Sequence, residues 1–501
     1  MTMVVPHMTA GSGHPIGSAA PLRTGAEYLR SLDDGRAVFV DGERVKNVAT
    51  HPAFAGAAQS CARLFDIAAD PAMAERMTVT SASGEQTLRA YQIPRSHADL
   101  RAKRLASETW SASTYGLIGR TPDHVAGFFA GYAAVPEVFA AGGQHFADNV
   151  VSFYEELRDN HLWATYAIVP PQIDRSKPAH QQSDPTLYAG VVRETDAGIV
   201  ISGAQQLATA GIYSDYLYLS CIHPLQAGDE NYAIGVGIPM NAEGLRLYPR
   251  RPFASMASNT FDHPLSSRFD ESDCFVVLDE VFVPWEKVFI YRNIEVCRNQ
   301  WWKTPGHAYG NLQAQARYAT KLRFMIGLAK MMNEITGNDG LPPVMIQMGE
   351  IAALVSIVET MLEAQELKAT IDANGVVWPC KEALYAVMSL QSELNPRMIE
   401  IIRELTGAAM ITMPSSIKDF ESEVTAPDIE RFMRSGTATA RERAALLRMA
   451  WDFIGSEFGN RHQQYEKFYG GASFLVKQNM YRSFDFKRST AMVNEALALG
   501  V

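Results

Sequence analysis

The sequence predicts an α+β fold in which a β region is set between two helical ones. Three observations predict it. Apolar residues recur at three- and four-residue steps from about Pro52 to Asn160. From about Ala164 to Arg292 the pattern changes to short β-branched and aromatic runs, and helical spacing returns from about Leu312 onward. The corresponding units are residues 1–160, mainly helical after a Gly/Ser/Pro-rich leader, 161–295, the β unit, and 296–501, helical again. At 501 residues and 47% hydrophobic, the chain has enough apolar material for substantial cores and is not a disordered polymer.

In the first unit, LRAKRLASETWSASTYGLIG and HFADNVVSFYEELRDNHL carry the helical pattern. A new helix is predicted at Pro122-Asp123, with Thr121 as its cap and proline tolerated in the first turn. In the second unit YAGVVRE, AGIVISGAQQLA, DYLYLSCI, YAIGVGIPM, LRLYPR and DCFVVLDEVFVPW are separated by Gly, Pro, Asp and Asn. The stretch Glu194 to Gly198 reads as a hairpin turn. In the third unit Val344, Met348, Ile351, Val355, Val358 and Leu362 alternate by four and three, a narrow seam that suits either an internal helix contact or a subunit interface. No internal repeat is present.

Composition excludes several classes of function. Net charge is -10, with 45 basic and 55 acidic residues and no basic tract, a poor match to nucleic acid. The five cysteines are scattered and none forms a C-x-x-C pair, which leaves zinc ribbons and iron–sulfur sites without their usual spacing. The start of the chain lacks a basic, then apolar, leader. The apolar run Val125 to Val135 stops at Pro136, short of the ~20 residues that span a bilayer. A cytoplasmic protein that does not enter membranes is expected. There is no P-loop, H-E-x-x-H or G-x-S-x-G motif. Gly235-Val236-Gly237 lies in a strand pattern with no helix after it, which removes it as a dinucleotide fingerprint. Asp262, Asp270, Glu271 and Asp273 flank strand starts and read as turn and cap residues, so no metal site is expected.

Four polar segments stand out against this background. In Gly119-Arg120-Thr121-Pro122-Asp123-His124, one helical turn separates Arg120 from His124, which lets a fixed cation and a titratable ring face one direction. The same spacing would also suit a capped helix start with a surface arginine. Thr165 to Arg175 contains a rigid Pro170-Pro171 turn beside Gln172, whose amide both donates and accepts. Phe261 to Glu271 and Gly455 to Glu466 are polar turns near helices.

Taken together, GRTPDH, PPQIDR, ETDAGIVISGAQQLAT, LQAG, FDHPLSSRFDE, VFVPWEKVFIY and GSEFGNRHQQYE occur in order from about Arg23 to Tyr481. The chain resembles the 4-hydroxyphenylacetate 3-hydroxylase family, the oxygenase components of two-component FAD-dependent phenol and halophenol monooxygenases. The resemblance implies an acyl-CoA dehydrogenase-like fold: an N-terminal helical domain, a middle antiparallel β-barrel domain and a C-terminal four-helix bundle, assembled as a homotetramer. It implies that a separate NAD(P)H:flavin reductase supplies FADH2, which reacts with O2 to a C4a-hydroperoxyflavin that hydroxylates a small phenolic ring. Alternatives on the same fold are a hydroxylase of a non-phenolic or heteroaromatic substrate and an acyl-CoA dehydrogenase-like flavoenzyme.

Carried over by position, the resemblance makes Arg120 the active-site arginine. His124 stands where many members have tyrosine, and Tyr166 where many have the histidine that meets the phenol; the two side-chain types are exchanged. Tyr166, Ala167, Ile168, Gln172, Arg175 and Thr209 fall on flavin-contacting positions, and Ser456, Glu457, Phe458 and Gly459 on a flavin-binding turn. Cys221 and Ile222 replace small hydroxyl residues of the substrate pocket, which points to a less polar substrate tail than a carboxylate. In Pro305 to Asn311, where halophenol-hydroxylating members place a catalytic histidine, this sequence offers His307 and Tyr309; His307 would also suit a helix start near the surface.

Overall fold

The structure, a computed structural model, describes residues 21–81 and 84–500. Most of the N-terminal leader lies outside the described residues. Helices Ala55–Ala69, His97–Ser113, Asp123–Ala134 and Gln144–Asp159 form the first helical region. Ser96 caps the second of these by accepting from Asp99 N. Gln144–Asp159 buries Phe146, Ala147, Val150, Phe153, Tyr154 and Leu157, the stripe its spacing predicts. The helical reading of this region overlooked a small hairpin of Thr78–Thr80 and Gln86–Leu88, whose β-branched threonines and Val79 favour strand.

The Asp123–Ala134 helix starts where predicted, but Thr121 does not cap it. Its hydroxyl donates instead to the Asp123 carboxylate at 2.5 Å. The apolar run Val125 to Val135 belongs almost wholly to this helix and is buried inside the protein.

The middle region corrects the expected barrel. Its strands form two open sheets. One runs Glu43–Arg44, Ala37–Val40, Leu245–Pro249, Asp273–Pro284, Gly198–Thr209, Gly190–Thr195. The other runs Val288–Ile290, Gly235–Pro239, Tyr216–Ser220, Ala164–Ala167. Nor is the pairing wholly antiparallel: Ala37–Val40 lies parallel to Leu245–Pro249, and Ala164–Ala167 parallel to Tyr216–Ser220. Closure is disfavoured at the edges. Gly190–Thr195 ends in exposed Arg193, Glu194 and Thr195, and Val288–Ile290 has only three residues. Among the described residues one isolated β-bridge, Val169 with Gln206, joins the sheets where the chain runs out of the Ala164–Ala167 strand, and Thr165 Oγ donates to Thr209 O across them at 2.6 Å. The Glu194–Gly198 hairpin forms as read, with Thr195 opposite Gly198. Gly235–Pro239 is a strand followed by another strand, as its rejection as a nucleotide fingerprint required.

In the C-terminal region Gly306–Thr336, Pro342–Leu367 and Lys381–Thr406 pack on one another. Among the described residues no fourth long helix completes a separate bundle. The shorter Ala440–Ile454 and Glu457–Phe468 take that side, and Gly306–Thr336 also packs against His97–Ser113 and Asp123–Ala134. It can do so because it is buried all round from Ala308 to Leu322. A small hairpin, Thr370–Ile371 with Val377–Trp378, interrupts the helices. In the predicted seam Ile351, Val355, Val358 and Leu362 are buried, while Met345 and Ile346 on another face are 60% and 72% exposed.

Candidate functional site

The site begins at the crossing of Asp123–Ala134 and Gly306–Thr336. Glycines set the spacing: a Cβ on Gly131 would stand 2.1 Å from Gly306 N, and one on Gly310 would stand 2.2 Å from the Phe128 ring. This close approach seats His124, 1% exposed, against Gln313 of the facing helix. Its Nδ1 lies 3.1 Å from Gln313 Oε1.

Arg120, in the turn before the helix, is tied at its backbone: Gly119 N and Arg120 N donate to the Glu271 carboxylate at 2.8 and 3.3 Å. Its guanidinium reaches His124 Nε2 and donates to Tyr469 OH at 2.7 Å. Tyr166 closes the group, its ring 5.4 Å from the imidazole and 5.0 Å from the guanidinium carbon. Burial, then the Arg120 charge, holds the His124 pKa well below its usual value, which makes it a neutral imidazole at physiological pH. Burial pushes the Tyr469 hydroxyl well up, which keeps it a protonated donor. The cluster therefore offers one permanent cation, one neutral ring and one phenolic donor in a desolvated space. It is suited to polarising a hydroxyl and holding the anion that results.

Behind it lies a buried ion network. Glu466 accepts from Arg317 Nη2 at 2.8 Å, from Lys321 at 2.9 Å and from Gln391 at 2.7 Å. Despite full burial, Arg317 and Lys321 hold the Glu466 carboxyl down to about 2. Burial pushes Lys321 down to about 8. The Arg317 guanidinium carbon lies 5.1 Å from the Tyr469 ring, which joins the network to the site. Arg461 of the same helix as Glu466 bridges Glu271 and Asp273 at 2.8 and 2.6 Å. The four carboxylates read as turn residues are thus engaged: Asp270 accepts from Phe253 N and Ala254 N, and Asp262 from Asn259 and Ile417 N.

The structure brings Arg120, His124 and Tyr166 together. Ala167 and Ile168 follow Tyr166 on the strand run-out and are buried, and Ile168 O accepts from Ile222 N at 2.9 Å. Cys221 is buried beside it, whereas Ile222 is 41% exposed. Thr209 donates to Asp273 at 2.9 Å. Gln172 and Arg175 are exposed and have no hydrogen bond or ion pair among the described residues. Ser456 caps the Glu457–Phe468 helix, accepting from Gly459 N at 3.0 Å; Phe458 and Gly459 are buried and Glu457 is exposed.

His307 stands apart from this group. Its ring neighbours are Trp302 at 5.0 Å and Tyr385 at 6.1 Å, and it shares no hydrogen bond with Arg120, His124 or Tyr166 among the described residues. Burial pushes its pKa down to about 4. Tyr469 and Gln313 were not identified from sequence. The signal for Tyr469 was its place one turn after Tyr465 at the end of the GSEFGNRHQQYE helix; Gln313 gave none beyond being polar in an apolar helix.

Two family models match nearly the whole chain: 4-hydroxyphenylacetate 3-hydroxylase N terminal over residues 24–290 and C terminal over residues 297–498. The oxygenase component of 4-hydroxyphenylacetate 3-monooxygenase from Thermus thermophilus is 34% identical, covering 92% of this chain and 95% of its own. That from Pseudomonas aeruginosa is 36% identical, over 92% and 88%. The oxygenase component of 4-nitrophenol 2-monooxygenase from a Rhodococcus species is 34% identical, over 91% and 87%. A solved structure of a 4-hydroxyphenylacetate 3-monooxygenase oxygenase component, complexed with FAD and 4-hydroxyphenylacetate, matches with a TM-score of 0.90 at 34% identity. It covers 95% of this chain and 99% of that one. An archaeal 4-hydroxybutyryl-CoA dehydratase from N. maritimus shares the fold at a TM-score of 0.86 and 20% identity, over 95% of each chain. The fold is acyl-CoA dehydrogenase-like.

Proposed function

The chain belongs to the 4-hydroxyphenylacetate 3-hydroxylase family, and from that membership we propose that it is the oxygenase component of a two-component flavin monooxygenase that hydroxylates a phenolic ring. The observation that carries the reading is the buried contact of Arg120 with a neutral His124 and the Tyr469 hydroxyl. The substrate is a small phenol, the co-substrates are reduced FAD and O2, and a separate NAD(P)H:flavin reductase supplies the reduced flavin. Cys221 and Ile222 favour a ring whose tail is less polar than a carboxylate.

The residues present fit a flavin. Among the described residues Gln172 and Arg175 are exposed and uncommitted, and the Tyr465 hydroxyl is a buried polar group without a partner, close to Gly119. Tyr166 to Ile168, Thr209 and Ser456 to Gly459 complete the set that would hold it. Reduced FAD, when bound, would supply the two electrons that activate O2, and O2 the oxygen atom; the protein's part is to bind and orient the ring, exclude water and manage one proton.

In that role the phenol oxygen sits between Arg120 and His124, in place of their direct contact. The substrate O–H donates to His124 Nε2, while Arg120 and Tyr469 donate to its oxygen. Proton transfer to Nε2 leaves a phenolate against the guanidinium and an imidazolium that keeps Nδ1–H on Gln313. Unaided, the imidazole is too weak a base. The phenolate offsets the Arg120 charge that depresses it, so ionisation and base strength rise together. Tyr166 packs along the ring, and His307 has no part in this step. Supplying chemically reduced FAD and O2 with a panel of phenols is expected to give hydroxylated product without any nicotinamide. Product from no phenol, or bleaching of bound FAD by an acyl-CoA thioester, would overturn the reading.

A homotetramer is part of the proposal, supported by exposed apolar side chains on two helices. Helix Pro342–Leu367 is long and apolar enough to cross a membrane by length and composition, yet it is flanked by Glu350–Arg397 and Arg323–Glu359 ion pairs. We read its exposed Met345, Ile346 and Ile357, with Phe486, Met492, Val493 and Leu497 of the last helix, as subunit contacts of a protein that stays in the cytoplasm. Light scattering on the purified chain is expected to give four copies without detergent. A monomer, or a need for detergent, would remove this part.

A further inference from the structure

We infer that Gln313 is a positioning residue that fixes the tautomer of His124, keeping a bare Nε2 toward Arg120 and the substrate hydroxyl; this rests on the phenol-binding reading above. The argument is one of donors and acceptors. Arginine has only donors, so the ring nitrogen facing Arg120 Nη1, Nε2, is an acceptor. Nδ1, although 3.3 Å from Arg120 Nη1 and 3.5 Å from Tyr469 OH, then carries the hydrogen and donates to Gln313 Oε1 at 3.1 Å, with the Gly310 backbone also bonding the ring. Gln313 cannot turn its amide the other way, because Nε2 of that amide donates to Thr121 Oγ at 2.8 Å. The Thr121 hydroxyl in turn spends its hydrogen on Asp123 Oδ1 at 2.5 Å.

The direction of every bond is thus settled from both ends, by a cation that only donates and a carboxylate that accepts. Reversing the amide would aim N–H at Nδ1 and force an Nε2–H against the guanidinium. It would also take the Thr121 hydrogen from Asp123. Every member of the chain is buried: Thr121 0%, Asp123 3%, His124 1% and Gln313 3% exposed. No water competes for these groups from bulk, and the arrangement is set before a ligand arrives. None of Gln313, Thr121 or Asp123 touches the reacting atoms, so their effect passes through His124. Partners that orient metal-bound histidines change activity about 10–100-fold, and a similar scale is expected here.

The test uses the whole chain without flavin and 4-nitrophenol as the probe, whose phenolate is coloured. In the unaltered protein the bound probe is expected to be more ionised than the free probe at the same pH. Gln313→Met, of similar volume, is expected to cut that ionised fraction and to lower kcat roughly 10–100-fold with KM little changed. Gln313→Glu retains an acceptor for Nδ1–H and is expected to restore the phenolate band; Thr121→Val, which cuts both links while keeping shape, is expected to fall between. If Gln313→Met binds the probe with the ionised fraction unchanged, the positioning role is overturned while the phenol reading stands. If the unaltered protein itself shows no bound phenolate, both are overturned.

Discussion

Arg120→Leu is expected to lower kcat/KM for phenol hydroxylation by about 10²–10³-fold, the scale for removing a buried donor to a developing anion. The side chain is the permanent cation that bonds both His124 and the Tyr469 hydroxyl. Without it a phenolate in this space would keep only the more distant Arg317, 5.1 Å from the Tyr469 ring, as counter-charge. Arg120→Lys keeps the charge but loses the planar fork that reaches two partners at once, so about one decade of the loss is expected to return. Steady-state product formation with reduced FAD and O2 decides it. A leucine variant with undiminished kcat/KM would mean that the phenolate, if it forms, is held elsewhere. The melting temperature is the control: losing an arginine whose burial is costly is expected to leave the fold intact.

The second large effect concerns stability. Glu466→Gln keeps size and shape but leaves Arg317 and Lys321 buried without their anion, and is expected to cost about 3–5 kcal/mol. Its pH dependence has a definite sign. The Glu466 carboxyl is held down to about 2 in the folded chain, against an ordinary value of 4.5. Its contribution is therefore complete above about 4.5 and is lost as pH falls toward 2, at about 1.4 kcal/mol per unit. Urea unfolding of both forms is expected to show a gap that narrows as pH falls from about 4.5 toward 2. A gap that does not respond to acid would remove Glu466 as the ionised partner.

How far the sequence revealed all this depended on the range of the contact. Arg120 and His124 are one helical turn apart, and their shared direction was legible from spacing alone. The strand run-out at Tyr166 was legible from the double proline that ends it. Tyr469 and Gln313 lie hundreds of residues away from Arg120, and no periodicity says which residues of a buried helix meet which loop. Thr121 shows a subtler miss: its type and position suited a cap, but its oxygen accepts from the Gln313 amide of a distant helix instead. The open sheets departed from the resemblance because the edge strands carry charged or very short stretches, a local fact that a family pattern passes over. His307 had the right type in the right segment, yet its ring turns toward Trp302 and Tyr385.

The glycine contacts between Asp123–Ala134 and Gly306–Thr336 make the interval between these two helices a gauge for proton chemistry. His124 projects from one rod and Gln313 from the other, and the link joining them is already 3.1 Å long. A single methyl group at Gly131, which never meets a ligand, would prise the rods apart and stretch that link. Reactivity here is calibrated by an absence of side chains, at a point where no inventory of polar groups would look.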